Sequence, residues 1–308
     1  MKLTRILPVI ALLWVIAVLP IDAAPKKIEV MTSLFPLYDF VRMIGQDKVN
    51  VTLLLPPGIE AHEFEPTPKT MLALNKANVF IYMGNYMEPW VEKVLQGLDN
   101  KKLIVIDASQ GVQPMSGQDH IVVNSQKLEK DHGKKYDPHI WLDLSNAQKM
   151  ISAIAKALGE TDPSNDATYK KNAALYKAQL KALDVRFARE LQVCPKKIFI
   201  HGGHYTFGYL ARRYGLTCIS AYDLSPNSEP GPKRLAEIIQ AIKKHKLKYI
   251  FYEELLSPRT AEVLGRETGA HLLKLNATHN LTRDEFRKGV TFLMLMEENL
   301  KNLKQGLQ

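Results

Sequence analysis

The chain has 308 residues, 46% apolar and 24% charged, enough for two packed cores and far from disordered composition. Its formal charge of +9 is spread over scattered lysines with no basic block, which argues for a solvated basic surface and against a nucleic-acid reader.

The N-terminus reads as an address. Lys2 and Arg5 precede an apolar run from Ile6 to Leu19, and small residues follow at Ala23 and Ala24. That order describes a secretory signal peptide over residues 1–24, and the run is short of the roughly 20 residues that span a bilayer. The segment carries two bases and one acid, so the chain without it is near +8. No cysteine follows the run, which argues against a lipid anchor and for a soluble exported protein. In an oxidising compartment Cys194 and Cys218 invite a disulfide between neighbouring strands, with two free buried thiols as the alternative.

In chain order, "KKIEVMTS" reads as strand and "FPLYDFVRMIG" as a helix ended by Gly45. "VNVTLLLPP" is a strand stopped by proline, and "PKTMLALNKA" a helix opened by Pro68. "NVFIYMG", "EPWVEKVLQGL" and "KKLIVIDAS" continue as strand, helix and strand. From Gln110 to Tyr136 the chain is polar, with isolated His120 and His132, and reads as a mobile surface loop. "DPHIWLDLSNAQKMISAIAKALG" restores a helix, and Asp162 to Gln192 forms one long helical pattern. A second alternating block follows: "KKIFIHGG", "LTCISAY", "LKYIFYE" and "AHLLKL" are strands separated by helices, and a final helix runs from about Thr282 to Leu303. The fold class is α/β: two α/β lobes with mostly parallel sheets, residues 25–161 and 193–308, joined by a long helix over 162–192.

Four segments at strand ends or helix starts, where ligands collect in parallel sheets, carry candidate chemistry. "LLLPPGIEAHEFEPTPKTM" holds His62 between Glu60 and Glu63, and its prolines stiffen the loop, as a metal ligand requires. "YDPHIWLD" holds His139, with Asp137 or Asp143 to orient its ring. "HGGHYTFGYLARRYGL" holds His204 at a predicted helix start, whose dipole favours neutral imidazole, whereas His201 reads as a core residue. "LLKLNATHN" holds Asn276 and His279. Three imidazoles with an oxygen or water suit tetrahedral Zn2+, though ligand type alone also allows copper, nickel or iron.

These segments together resemble the solute-binding proteins of zinc and manganese ABC transporters, the ZnuA/TroA-like family. "PPGIEAHEFEPTPKTMLALNKA" is similar to the family's proline-flanked histidine segment, "DPHIWLD" and "HYTFGYLARRYGL" to its second and third, and "FYEELLSPRTAEVLGRETGA" to the stretch that follows. The likeness covers nearly all of the chain after residue 24. It implies two lobes on one rigid helix, a metal held in the cleft between them, small lobe motions, and the ligands His62, His139 and His204. A histidine at the third place resembles the zinc-type members, so Zn2+ is the expected cargo, ahead of Mn2+ or Fe2+. The family's usual aspartate is replaced by Asn276, so the fourth position stays open among Asn276, water, Glu60, Glu63 and His279. The histidine- and acid-rich loop of zinc-type relatives is also missing, since only His120 and His132 stand in that loop.

The resulting expectation is a periplasmic, monomeric binding protein, not an enzyme, that hands a divalent metal to a membrane ABC permease and involves no nucleic acid. Metal affinity should fall as pH drops, because protonated imidazole does not coordinate. The rival is an exported zinc hydrolase using Glu60 or Glu63 as base, although neither an H-E-x-x-H nor a G-x-S-x-G motif occurs. An adhesin reading has no specific support in the residues.

Overall fold

The computed structural model describes residues 27–116, 136–224 and 230–308. The leader read over 1–24, and His120 and His132, lie outside the described residues.

The first unit runs β1 (Ile28–Thr32), α1 (Phe35–Gly45), β2 (Val49–Leu53), α2 (Pro68–Leu74), β3 (Val79–Tyr82), α3 (Val91–Gln96) and β4 (Ile104–Asp107). Its strands pair in the order β2-β1-β3-β4, all parallel. α4 (Leu144–Thr161) then leads through a short turn into α5 (Asp166–Gln192). The second unit repeats the plan: β5 (Ile198–His201), α6 (Gly208–Arg213), β6 (Thr217–Ser220), α7 (Pro232–Lys244), β7 (Tyr249–Tyr252), α8 (Arg259–Thr268) and β8 (His271–Lys274). Its order is β6-β5-β7-β8, again all parallel. α9 (Arg283–Arg287) and α10 (Phe292–Gly306) close the chain.

In each sheet the strand order reverses beside the first strand, so a crevice opens at the strand C-terminal ends. The α/β class and the two-sheet layout agree with the sequence reading. The final helix does not run unbroken. Gly289 takes φ +68°, a left-handed conformation that ends a helix, and Thr291 caps a new one with its side chain. The long helix starts four residues later than expected, because Pro163 opens a separate 3-10 turn.

Why α5 is stable is visible in its spacing. Tyr169, Ala173, Tyr176, Leu180, Leu183, Phe187 and Leu191 recur every three or four residues and are all buried, while the remaining faces are mostly polar. At 1.5 Å per residue its 27 residues span about 40 Å. It packs on α1, α4 and α10, and one continuous apolar core runs from Val30 and Phe40 through α5 to Phe199 and Phe251. Polar ties reinforce that core. Asp39 of α1 is fully buried, accepts from Tyr176 Oη at 2.9 Å and from Phe292 N at 3.0 Å, and pairs with Arg42. Asp184 of α5 takes a two-pronged contact from Arg213 of α6, at 2.7 and 2.6 Å. Arg213 also reaches Asp143, the N-cap of α4, at 3.2 Å.

The two cysteines are free and buried. Phe199, not Cys194, stands opposite Cys218, and Cys194 lies on the turn before β5.

Candidate metal centre

His62 sits in a one-turn 3-10 helix, Ala61–Glu63, placed by the loop after β2. Glu60 caps that turn: its Oε1 accepts from His62 N at 3.1 Å. His139 precedes another 3-10 turn on the way to α4. His204 follows β5 by three residues. It lies four residues ahead of α6, so no helix dipole acts on it as the sequence had suggested.

The three imidazoles converge. Their Nε2 atoms stand 3.2 Å apart between His62 and His139, and 3.2 Å between His204 and His139. The ring centroids form a near-equilateral triangle of 5.3, 5.1 and 5.1 Å. A tetrahedral Zn2+ with bonds of about 2.0–2.1 Å to nitrogen would set its ligand atoms roughly 3.3–3.4 Å apart. Among the described residues, no carboxylate and no fourth histidine joins the three within the same 4.8 Å.

Buried carboxylates orient two of the rings. Asp137 Oδ1 accepts from His139 Nδ1 at 2.8 Å, and Glu253 Oε1 from His204 Nδ1 at 2.8 Å. Each acceptor oxygen fixes the tautomer whatever the charge of its carboxyl group, leaving the Nε2 lone pair toward the centre. Lone pairs aimed at one point repel unless something positive lies between them. The Thr206 hydroxyl, 2.9 Å from His204 Nε2, is placed to offer that nitrogen a proton. Asp137 was anticipated from the sequence, while Asp143 is used as a helix cap. Glu253 was missed, although it directly follows β7 just as the histidine segment follows β5. Gly203 is required for it, since a Cβ there would stand 2.4 Å from Glu253 Oε1.

Burial and the neighbouring histidines favour the neutral form of His62 and His139. Desolvation, then the neighbouring His204, pushes His62 down to about 4. Desolvation, then His204 and His62, holds His139 well below its ordinary value. Burial raises Asp137 to about 8, whereas Glu253, despite complete burial, is held low by His204. His279 behaves oppositely: against the cost of burial, Glu60 and then Glu254 carry it up to about 9. Its Nε2 pairs with Glu60 Oε2 at 3.1 Å, and Glu60 is held well below the carboxylate range despite its burial.

The remaining candidates are placed as follows. Asn276 is buried, and its Oδ1 accepts from Thr278 N at 2.7 Å. Glu63 is exposed. His201 is a core residue, its Nδ1 bonded to His204 O at 2.9 Å.

A family model described as zinc-uptake complex component A, periplasmic, matches residues 30–306. The chain belongs to this family, ZnuA. The zinc-binding lipoprotein AdcA of Streptococcus pneumoniae serotype 4 is 35% identical over 304 residues, 99% of this chain and 60% of AdcA. The high-affinity zinc uptake system protein ZnuA of Bacillus subtilis (strain 168) is 35% identical over 286 residues, 93% of this chain and 89% of that protein. The crystal structure of the Zn(II)-bound ZnuA-like domain of the pneumococcal AdcA superposes with a TM-score of 0.75 at 35% identity, over 92% of this chain and 99% of that one. The chain thus spans 60% of the length of the pneumococcal AdcA. Zinc is the metal named for the ZnuA family and for these relatives, in agreement with the resemblance read from the motifs. No helix among the described residues is long and apolar enough to cross a membrane.

Proposed function

We propose that this protein captures Zn2+ outside the cytoplasmic membrane and delivers it to an ABC permease, with His62, His139 and His204 as ligands. The observation that carries this reading is the convergence of three imidazoles, with His139 Nε2 3.2 Å from both His62 Nε2 and His204 Nε2, and with the His139 and His204 rings each held by a buried carboxyl group. Zinc is cargo here, bound and released unchanged. Nitrogen donors favour it over Mn2+, which prefers oxygen. The fourth position stays open to Asn276, whose oxygen also accepts from Thr278 N, to water, or to Glu60, Glu63 or His279.

The hydrolase alternative lacks a free base. Glu60 is bonded to His279 and to the His62 backbone, Asp137 and Glu253 serve the ring Nδ1 atoms, and Glu63 faces solvent. Competition titration against a chromogenic chelator tests the proposal. One-to-one zinc binding, much weaker manganese binding and loss of affinity in His204→Ala support it. Zinc binding that His204→Ala leaves unchanged refutes the ligand set.

A further inference from the structure

Besides its own prolines, a segment that follows β8 holds the His62 loop. Asn280 lies just beyond β8, has no exposed surface, and spends all its hydrogen-bonding groups. Its Nδ2 donates to Pro56 O and to Ile59 O, both at 2.8 Å, while its Oδ1 accepts from Leu281 N at 2.9 Å. The two carbonyls bracket Gly58, whose φ of +90° only glycine adopts readily and whose N–H donates to Leu281 O at 2.7 Å. These contacts end two residues before the turn that presents His62.

The same segment braces the second ligand. Trp141, two residues after His139, donates its indole N–H to Ala277 O and Thr278 Oγ1, each at 2.9 Å. Thr278 itself has φ +57°, costly for a β-branched residue and kept only where the surroundings impose it. From behind, Asn299 of α10 bonds both the N–H and the C=O of Asn276, at 2.7 and 2.8 Å. A strained segment anchored to a helix therefore grips the stretches carrying two of the three ligands. His139 and His204 are fully buried, and His62 is the partly exposed member.

We propose that Asn280 is a positioning residue for metal exchange. It holds the His62 loop shut from across the cleft, and its release sets the rate at which zinc leaves. This rests on the zinc reading above.

The test is stopped-flow zinc release into excess chelator from Asn280→Asp, which keeps the acceptor toward Leu281 N but loses both donors. Asn280→Ala removes the same donors without burying a charge and is read identically should the aspartate variant fail to fold. Expected are retained one-to-one zinc binding, a release rate at least tenfold faster, and increased deuterium uptake over residues 54–66. A release rate within twofold of the parent, even with a lowered melting temperature, would mean that Asn280 serves stability alone and would overturn the inference. Parent protein that fails to bind zinc one-to-one would instead remove the zinc reading itself, so the two failures are distinguishable.

Discussion

Glu253 and His204 form a pair that solvent does not reach: the carboxylate Oε1 accepts from the ring Nδ1 at 2.8 Å, and both side chains are buried. The charge keeps Nε2 basic and the ring fixed. Glu253→Gln retains an acceptor without the charge. Outer partners of metal-bound histidine are typically worth 10- to 100-fold in affinity. Zinc affinity of the variant should drop by about that factor at one-to-one stoichiometry, as read by chelator competition.

Acid release of zinc should come late. An ordinary histidine titrates near 6.5, but burial and His204 push His62 to about 4. The ring stays neutral, and able to coordinate, well below the range in which an exposed site fails. Half-release in a pH titration is expected well below pH 6.5. Half-release at 6.5 would show that the site is more open than its burial indicates.

Metal-free stability should rise and then fall with pH. His62 has a folded pKa below its unfolded value, so its contribution is present above 6.5 and lost as pH falls toward about 4. His279 has a raised pKa, so its contribution is complete below 6.5 and lost as pH rises through about 9. Thermal melts of metal-free protein should peak at roughly pH 6–7. His279→Gln should lower the peak and flatten the alkaline limb.

Asp39 joins α1, α5 and α10 through Arg42, Tyr176 and the Phe292 N–H. Asp39→Ala leaves two buried donors without an acceptor, at a cost on the order of 3 kcal/mol. The melting temperature should fall by several degrees while zinc stoichiometry is unchanged. An unaltered melt would mean that the lobes are held by apolar packing alone.

The three converging histidines were legible because each follows a strand or precedes a helical turn, where parallel sheets gather function. His62, His139 and His204 could be named from local sequence. Glu253 carried the same strand-end signal, but an acidic pair after a strand also describes ordinary surface. Asn280 and Asp39 could not be read at all. The contacts that give them their roles, Asp39 with Tyr176 and Phe292 and Asn280 with Pro56 and Ile59, join residues more than 130 apart in the chain, and no local pattern encodes them. The broken final helix was marked by Gly289, which outweighs the amphipathic spacing on both sides of it. The disulfide expectation failed on register, since Cys194 belongs to a turn and not to the strand beside Cys218.

The helix α5, seated in a core common to both sheets, bears on how this protein could serve as an optical zinc reporter. Fluorophores placed one beside each sheet would report whether metal changes their separation, which a core shared through α5 is expected to hold nearly constant. An environment-sensitive dye beside the 54–66 loop would sit on the part that yields. With Cys194 and Cys218 both buried, a single cysteine introduced there could be labelled selectively.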